Sequence, residues 1–220
     1  MTTGASTAPK RIAVLDYDAG NLRSAEKALV KAGADVLVTT DAGAAAAADA
    51  LVVPGVGHFG QCARQFRAAG LEGLLDDWVA DDRPLLGICV GMQILYAGSE
   101  EDPEAEGLDV LPGRVRRLPG AVRVPHMGWN TVTPVPAHRD DPLLDGVAGE
   151  RAYFVHSYYA EPADAAHVVA MTAYGPGFPC VVRVGNTVGT QFHPEKSAGV
   201  GARLLANFVA ALRGDTLAGP

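Results

Sequence analysis

Short apolar runs alternate with helical patterns through the first half of the chain. Apolar runs rich in Val, Leu and Ile predict buried strands at residues 12–15, 36–38, 51–53 and 85–88. Apolar residues at helical spacing predict helices at residues 22–30 and 71–79, and a further helix is expected to follow the run at 85–88. Strands that alternate with helices are typical of α/β proteins, in which helices flank a mostly parallel sheet.

The pattern changes in the second half of the chain. Short, turn-bounded segments predict strands at residues 115–118, 131–135, 152–155, 168–174, 181–184 and 187–192. We therefore expect a smaller antiparallel portion in the C-terminal half, closed by a helix with its apolar face at residues 200–212. The acidic segment 98–109 is interpreted as a solvated loop rather than a cation site, and the alanine run 44–48 as a helical turn or a connector.

Length and composition predict one globular domain. The 220 residues are 48% apolar and 20% charged, which suits a single core over residues 11–213, with a disordered tail at 1–10 and a C-terminal tail at 214–220. The net charge of −7 repels phosphate and argues against nucleic-acid binding. No run approaches the roughly 20 apolar residues of a membrane helix, and the start lacks the apolar core of a secretory signal.

Cysteine usage indicates a reducing compartment. The three cysteines, Cys62, Cys89 and Cys180, are too few and too widely spread for a disulfide framework, and none forms a C-x-x-C metal pattern. We therefore predict a cytoplasmic location, with neither a metal nor an organic cofactor.

The first chemical signal is the segment Gly87-Ile88-Cys89-Val90-Gly91. It has the form G-x-C-x-G at a predicted strand-to-helix turn, where small flanking residues permit a nucleophile elbow. Backbone N–H groups at the start of a helix favour a thiolate and can bind an oxyanion, so Cys89 is the candidate nucleophile and Val90 a candidate oxyanion donor. The alternative is a buried cysteine that acts as a small apolar side chain, which the flanking glycines disfavour.

The second signal is a histidine followed by a carboxylate at the end of a predicted strand. In Gln191-Phe192-His193-Pro194-Glu195, residues two apart in extended chain face the same side, so Glu195 is expected to orient His193. Together with the elbow this predicts a Cys89, His193 and Glu195 triad, in which the histidine moves protons and the glutamate fixes its tautomer.

The third signal is the glycine-rich loop Pro54-Gly55-Val56-Gly57, which follows an apolar strand. No G-K-[S/T] follows, so the loop is not a phosphate loop of the Walker type. Its backbone could present the N–H of Val56 or Gly57 to an oxyanion beside Val90. Without the predicted triad, an ordinary strand-to-helix turn would be the better interpretation.

These segments give the chain a resemblance to the class I, or triad-type, glutamine amidotransferases from about Arg11 to Leu212. Within that class, further segments resemble the glutaminase subunits of imidazole glycerol phosphate synthases. The segments that carry the resemblance are Asp16-Tyr17 with Gly20-Asn21, Pro54 to Gly57, Gly87 to Gln93, Pro125-His126-Met127-Gly128-Trp129-Asn130, Val155 to Tyr158 and Gln191 to Ser197.

The resemblance implies a fold, a reaction and a partner. The fold would be that of the class, a central mostly parallel sheet flanked by helices. Cys89 would attack the side-chain amide of glutamine and form a thioester, and the ammonia would cross to a TIM-barrel cyclase subunit in histidine biosynthesis. The family residues that contact glutamine correspond to Gly55, Gln93, Ser157 and Tyr158. Those near the partner correspond to Asn21, Trp129, Asn130 and Lys196, although core packing is an alternative for Trp129.

Two positions depart from the pattern of the resembled family. Asp18 stands where Gly is usual, and because Asp tolerates left-handed backbone angles we expect the turn to form. His58 stands where a small or apolar residue is expected, and we predict an exposed loop side chain there.

Three other functions are weighed against glutamine hydrolysis for this synthase. A catalytically inactive binding module would be expected to have lost Cys89, His193 or Glu195, and all three are present. A cysteine peptidase or γ-glutamyl hydrolase would retain a Cys-His pair without an ammonia-conducting interface. A glutaminase for another synthase, of pyridoxal phosphate, guanylate or anthranilate, is disfavoured by the segment from Pro125 to Asn130.

Overall fold

The computed structural model describes residues 8–214. The tails predicted at 1–10 and 214–220 therefore lie outside the described residues, apart from residues 8–10 and Gly214. Lys10 precedes the first strand and forms an ion pair with Asp49, with 3.2 Å between Nζ and Oδ1.

Six α-helices and fourteen strands are described within this range. The helices are α1 (Leu22–Lys31), α2 (Ala42–Ala46), α3 (Phe59–Ala68), α4 (Glu72–Ala80), α5 (Val90–Gln93) and α6 (Ala198–Ala211). The first seven strands are β1 (Arg11–Leu15), β2 (Asp35–Thr39), β3 (Ala50–Gly55), β4 (Leu85–Cys89), β5 (Gly98–Ser99), β6 (Asp102–Glu106) and β7 (Gly113–Arg117). The others are β8 (His126–Thr131), β9 (Thr133–Pro134), β10 (Arg151–His156), β11 (Tyr158–Pro162), β12 (Val168–Thr172), β13 (Phe178–Val184) and β14 (Thr187–Thr190).

The main sheet has eight strands in the order β2-β1-β3-β4-β14-β13-β12-β9. The first five strands in this order run parallel and the last three pair antiparallel. This confirms the predicted α/β class with a mostly parallel sheet. All six residues of β3 and all five of β4 are buried, as expected for parallel strands covered on both faces.

Two smaller sheets complete the antiparallel portion. Strands β8 and β10 form an antiparallel pair, and four strands pair in the order β11-β7-β5-β6. The first pair places Trp129 opposite Tyr153 and His126 opposite His156.

The topology brings three strand ends together. Strands β3, β4 and β14 are neighbours and run parallel, so their carboxyl ends lie at one edge of the sheet. Cys89 ends β4 opposite Gly55 at the end of β3, and His193 follows β14. Ligands of open α/β sheets bind outside these carboxyl ends.

Several expectations from the sequence need correction. The segment 98–109 is not a loop, because it contains β5 and β6, which pair with each other. The predicted strand at 131–135 is divided between the end of β8 and β9. Helix α3 and strands β8 and β11 were not predicted. Helix α3 does carry apolar residues at helical spacing, at Phe59, Cys62, Ala63 and Phe66, which sequence reasoning overlooked. The alanine run forms the helical turn α2.

Candidate active site

Cys89 lies on a sharp turn between β4 and α5. Its backbone has φ 54° and ψ −115°, which a residue with a Cβ rarely adopts, and its side chain lines a cleft. The turn is fixed by glycine contacts. A Cβ added to Gly91 would lie 1.9 Å from the Val53 carbonyl oxygen, and one added to Gly55 would lie 2.2 Å from the Gly91 nitrogen. Only glycine permits this approach, which confirms the tight turn that the sequence predicts.

His193 and Glu195 lie beside the cysteine, but not in the predicted conformation. Strand β14 ends at Thr190, and Pro194–Lys196 form a 3₁₀ turn rather than extended chain. The turn still places His193 Nδ1 2.8 Å from Glu195 Oε1, with both side chains 2% exposed. The neighbour relation was therefore predicted correctly, although the extended-chain reason for it was wrong.

Neighbouring groups hold this pair in place. Asn21 Nδ2 donates to the same Glu195 oxygen. The Ser197 hydroxyl donates to the His193 carbonyl over 2.6 Å and accepts from the Tyr153 N–H over 2.9 Å. Glu195 Oε2 is buried without a hydrogen-bond partner among residues 8–214.

The charges around His193 favour its protonated form. Burial lowers the pKa of His193, but hydrogen bonds to Cys89 and Glu195 and the charges of both outweigh burial and raise it to about 10. An imidazolium beside Cys89 stabilises the thiolate form of that sulfur, which is the nucleophilic form. The other two cysteines differ, since burial raises the pKa of Cys62 to about 11 and that of Cys180 to about 12.

The glycine-rich loop forms the other wall of the cleft. Val56, Gly57 and Val90 all line it, and Val90 begins α5. The Val56 N–H does not point to a substrate, because it donates to the Ala19 carbonyl over 3.3 Å. The Val56 carbonyl accepts from the Cys62 thiol over 3.3 Å. The Tyr17 hydroxyl donates to the Pro54 carbonyl near the end of β3, so the backbone of Val56 beyond the strand is held by one hydrogen bond at its N–H and one at its carbonyl.

The cleft has a volume of about 360 Å³, within the ~300–1,000 Å³ range of small-molecule sites. Its lining includes three of the predicted substrate residues, Gln93, Ser157 and Tyr158. Gln93 Nε2 donates to the Tyr158 carbonyl over 2.9 Å and to Gln191 Oε1 over 3.0 Å. Gly55, the fourth, does not line the cleft, because its backbone packs against Gly91.

Sequence reasoning missed Glu101 in the cleft and Gln191 beside Cys89. Glu101 lines the cleft and its Oε2 accepts from the Phe59 N–H over 2.7 Å, although its acidic segment was interpreted as inert. Gln191 places Nε2 3.7 Å from the Cys89 sulfur. Gln191 lies in the same short segment as His193, which is the signal that could have found it.

One of the four predicted interface residues, Lys196, lines the cleft, and the other three do not. Trp129 is 50% exposed and packs edge-to-face with the Tyr153 ring, and this exposure contradicts core packing for Trp129. Lys196 is exposed at the cleft, Asn21 contacts Glu195, and Asn130 Nδ2 donates to the Ala173 carbonyl over 2.9 Å.

The two departures from the expected pattern are accommodated. Asp18 has φ 65°, the left-handed conformation that was expected, and its Oδ2 accepts from Gln65 Nε2 over 3.3 Å. The exposed side chain of His58 precedes α3. Its Nδ1 lies 3.9 Å from Asp102 Oδ2.

Two negative findings apply to residues 8–214. No group of three or more His, Cys, Asp or Glu side chains there could hold a metal ion. No helix in that range has both the length and the apolarity needed to cross a membrane.

Comparison with known sequences agrees with this geometry. A family model described as "Glutamine amidotransferase class-I" matches residues 13–212. The chain is 51% identical over 218 residues to "Imidazole glycerol phosphate synthase subunit HisH" of Halobacterium salinarum, covering 94% of this chain and 96% of that protein. It is 49% identical over 205 residues to the protein of the same name in Methanothermobacter thermautotrophicus, covering 92% and 99%.

Solved structures share the fold at lower sequence identity. A structure titled "Crystal structure of glutamine amidotransferase" has a TM-score of 0.72 at 23% identity and covers 92% of this chain and 98% of its own. The structure of PurLQS from Thermotoga maritima has a TM-score of 0.69 at 18% identity, covering 92% of this chain and 98% of the matched chain. At these identities the likeness concerns the fold alone.

Proposed function

The chain belongs to the class I glutamine amidotransferase family, and from that premise we propose that it is the glutaminase subunit of an imidazole glycerol phosphate synthase. The observation that carries the reaction is the buried cluster of Cys89, His193 and Glu195 in a cleft at the carboxyl edge of the sheet. The choice of synthase rests on relatives of that name that are 51% and 49% identical over more than nine-tenths of the chain.

The proposed reaction proceeds through a thioester on Cys89. The thiolate attacks the side-chain amide carbon of glutamine, and the carbonyl oxygen becomes an oxyanion. The tetrahedral intermediate collapses as His193 donates a proton to the leaving nitrogen, which departs as ammonia. His193 then takes a proton from water as the water attacks the thioester, and glutamate leaves with Cys89 restored. Glu195 keeps the His193 Nδ1–H oriented throughout.

The oxyanion would be bound by backbone N–H groups. Val90 supplies one from the start of α5, and a second comes from Val56 or Gly57. In the described conformation the Val56 N–H is engaged by Ala19, so this donor becomes available only when the peptide reorients. We propose that the loaded partner subunit drives that change.

The charged groups of the cleft suit a free amino acid. Glu101 offers a carboxylate to an ammonium group, and Lys196 offers an ammonium to a carboxylate. Gln93, Ser157 and Tyr158 complete the proposed glutamine contacts, and Gln191 assists at the sulfur.

The proposed partner is a cyclase subunit with a TIM-barrel fold. Free ammonia is largely protonated in neutral water and ammonium is no nucleophile, so a sealed route must receive it. Exposed Met127 and Trp129 provide an apolar anchor near the cleft, and an exposed Trp is a frequent centre of an interface. We place the pathway, histidine biosynthesis, in the cytoplasm, where a reducing environment keeps Cys89 free.

The test measures glutamate release by the purified chain, alone and with the cyclase subunit loaded with its ribonucleotide. We expect strong stimulation by the loaded cyclase, and a loss of at least about 10³-fold in Cys89→Ala. Cys180→Ala serves as the matched control, because this buried cysteine lies outside the cleft.

Three outcomes would contradict the proposal in different ways. Equal hydrolysis with and without the cyclase would favour a free-standing glutaminase. Hydrolysis of γ-glutamyl peptides in preference to glutamine would favour a γ-glutamyl hydrolase. Retained activity in Cys89→Ala would remove the proposed nucleophile.

A further inference from the structure

Two histidines outside the proposed chemistry face each other beside the cleft, and one of them, His156, lines it. His126 on β8 and His156 on β10 are paired across the strands and are 4% and 7% exposed. His126 Nδ1 lies 3.1 Å from His156 Nε2. Aromatic rings surround them: Tyr174 stacks on His126 at 4.0 Å, and Phe178 lies edge-on to His156 at 4.7 Å.

The contact at the cleft end fixes the tautomer of His156. Its Nδ1 lies 2.8 Å from the Tyr158 carbonyl, and a carbonyl only accepts, so Nδ1 carries the proton. Burial lowers the pKa of His156 to about 3, so the ring is neutral and Nε2 is an acceptor. His126 Nδ1 must therefore donate to it.

The contacts at the surface end require the same direction. Asn130 Oδ1 accepts from the Thr131 N–H over 2.8 Å and its Nδ2 donates to the Ala173 carbonyl, which fixes the orientation of the amide. The same Nδ2 lies 3.4 Å from His126 Nε2, which must therefore accept. Because burial lowers the pKa of His126, this ring is also neutral, with its proton on Nδ1. Both ends of the chain of hydrogen bonds require the same two tautomers.

We propose that Asn130, His126 and His156 form a directional hydrogen-bond relay that links β8 to the glutamine cleft and positions the Tyr158 carbonyl and Gln93. The proposal rests on the proposed function, since it assigns positioning residues to that cleft. The last acceptor of the relay, the Tyr158 carbonyl, also accepts from Gln93 Nε2, so the relay ends on a residue of the cleft lining.

The position of β8 connects the relay to the exposed surface of the protein. Side chains alternate along a strand, so the relay residues His126 and Asn130 share one face of β8 while Met127 and Trp129 occupy the other. Met127 is 64% and Trp129 50% exposed, so a subunit that covers them would contact the strand that carries the relay. A displacement of His126 passes through His156 to the Tyr158 carbonyl.

The first test records the imidazole nitrogen resonances of the ¹⁵N-labelled chain alone, at neutral pH. Substitution of each ring in turn assigns its signals. Both His126 and His156 are expected as neutral rings protonated at Nδ1. A proton on Nε2 of either ring, or a cationic ring, would overturn the relay. This readout needs neither glutamine nor a partner. A contrary result would therefore overturn the relay without contradicting the proposed function.

The second test separates hydrogen bonding from packing with two variants of His126. His126→Phe keeps a ring against Tyr174 but leaves His156 Nε2 without a donor, whereas His126→Asn keeps a donor near the position of Nδ1. In the cyclase complex we expect His126→Phe to raise KM for glutamine by about 3- to 10-fold with kcat nearly unchanged, and His126→Asn to restore much of the loss. A wild-type KM in His126→Phe with a raised KM in His126→Asn would show a packing role and overturn the proposal.

Discussion

The two walls of the cleft are held in different ways. On the nucleophile side, Cys89 is fixed by backbone contacts between glycines, and His193 and Glu195 are fixed by Asn21 and Ser197. On the oxyanion side, Pro54 and Gly55 end β3, and beyond the strand Val56 has one hydrogen bond at its N–H, which is turned toward Ala19, and one at its carbonyl.

The nucleophile side of the cleft is preorganised, whereas the oxyanion side can change its conformation. Moving the nucleophile would force atoms of Gly55 and Gly91 into each other, because an interior packed at this distance has no spare volume. Turning one peptide of the loop exchanges one hydrogen bond, whose net contribution is about 1 kcal/mol. The nucleophile side can therefore stay assembled while control acts on the loop.

Among the changes that keep the nucleophile in place, removing the charge of Glu195 should give the largest effect. Glu195→Gln retains an oxygen that can accept from His193 and Asn21, but it loses the negative charge that helps to raise the pKa of His193. We expect kcat for glutamine hydrolysis in the cyclase complex to fall by about 10²–10⁴-fold, as for other triads with a neutralised acid. Steady-state glutamate release measures this fall in kcat.

The exposed Glu104 on β6 offers a matched control, and Glu104→Gln should hydrolyse glutamine at the wild-type rate. A Glu195→Gln enzyme within threefold of wild type would mean that the nucleophile side does not depend on this carboxylate.

The reactivity of Cys89 should show the charge on His193 directly. Because the pKa of His193 is raised to about 10, the ring is cationic below that pH and loses its charge only above it. Alkylation of Cys89 by iodoacetamide, followed by mass spectrometry, should therefore show no loss of rate from pH 6 to 9, because the imidazolium keeps its charge over this range. In His193→Asn, which lacks this charge, the rate at pH 6 should fall by up to about 10²-fold.

Cys62 and Cys180 serve as internal controls in the same spectra, because burial raises the pKa of both thiols and keeps them unreactive. Equal pH profiles for Cys89 in the wild type and in His193→Asn would exclude the imidazolium as the source of its reactivity.

More of the nucleophile side than of the oxyanion side could be predicted from the sequence, for a physical reason. The elbow and the His193 to Glu195 spacing are local, so short segments carry them, and the structure brings these residues together. Hydrogen bonds between residues that are far apart in the sequence have no such local sequence pattern. Neither the Val56 contact with Ala19 nor the pairing of His126 with His156 could be predicted from local pattern, and Glu101 was hidden in a segment interpreted as a loop.

The smallest predicted effect tests the loop itself. Cys62→Ala removes the thiol donor to the Val56 carbonyl, whereas Cys62→Ser keeps a hydroxyl donor in nearly the same place. If the thiol helps to hold the Val56 N–H on Ala19, Cys62→Ala should raise glutamine hydrolysis by the free chain about two- to fivefold, the contribution of one weak hydrogen bond. The stimulation by loaded cyclase should fall by the same factor, because the fully active complex gains nothing, and Cys62→Ser should stay near wild type. Lower free-chain activity in Cys62→Ala would instead mean that the thiol supports the active loop, and control would then have to lie outside this contact.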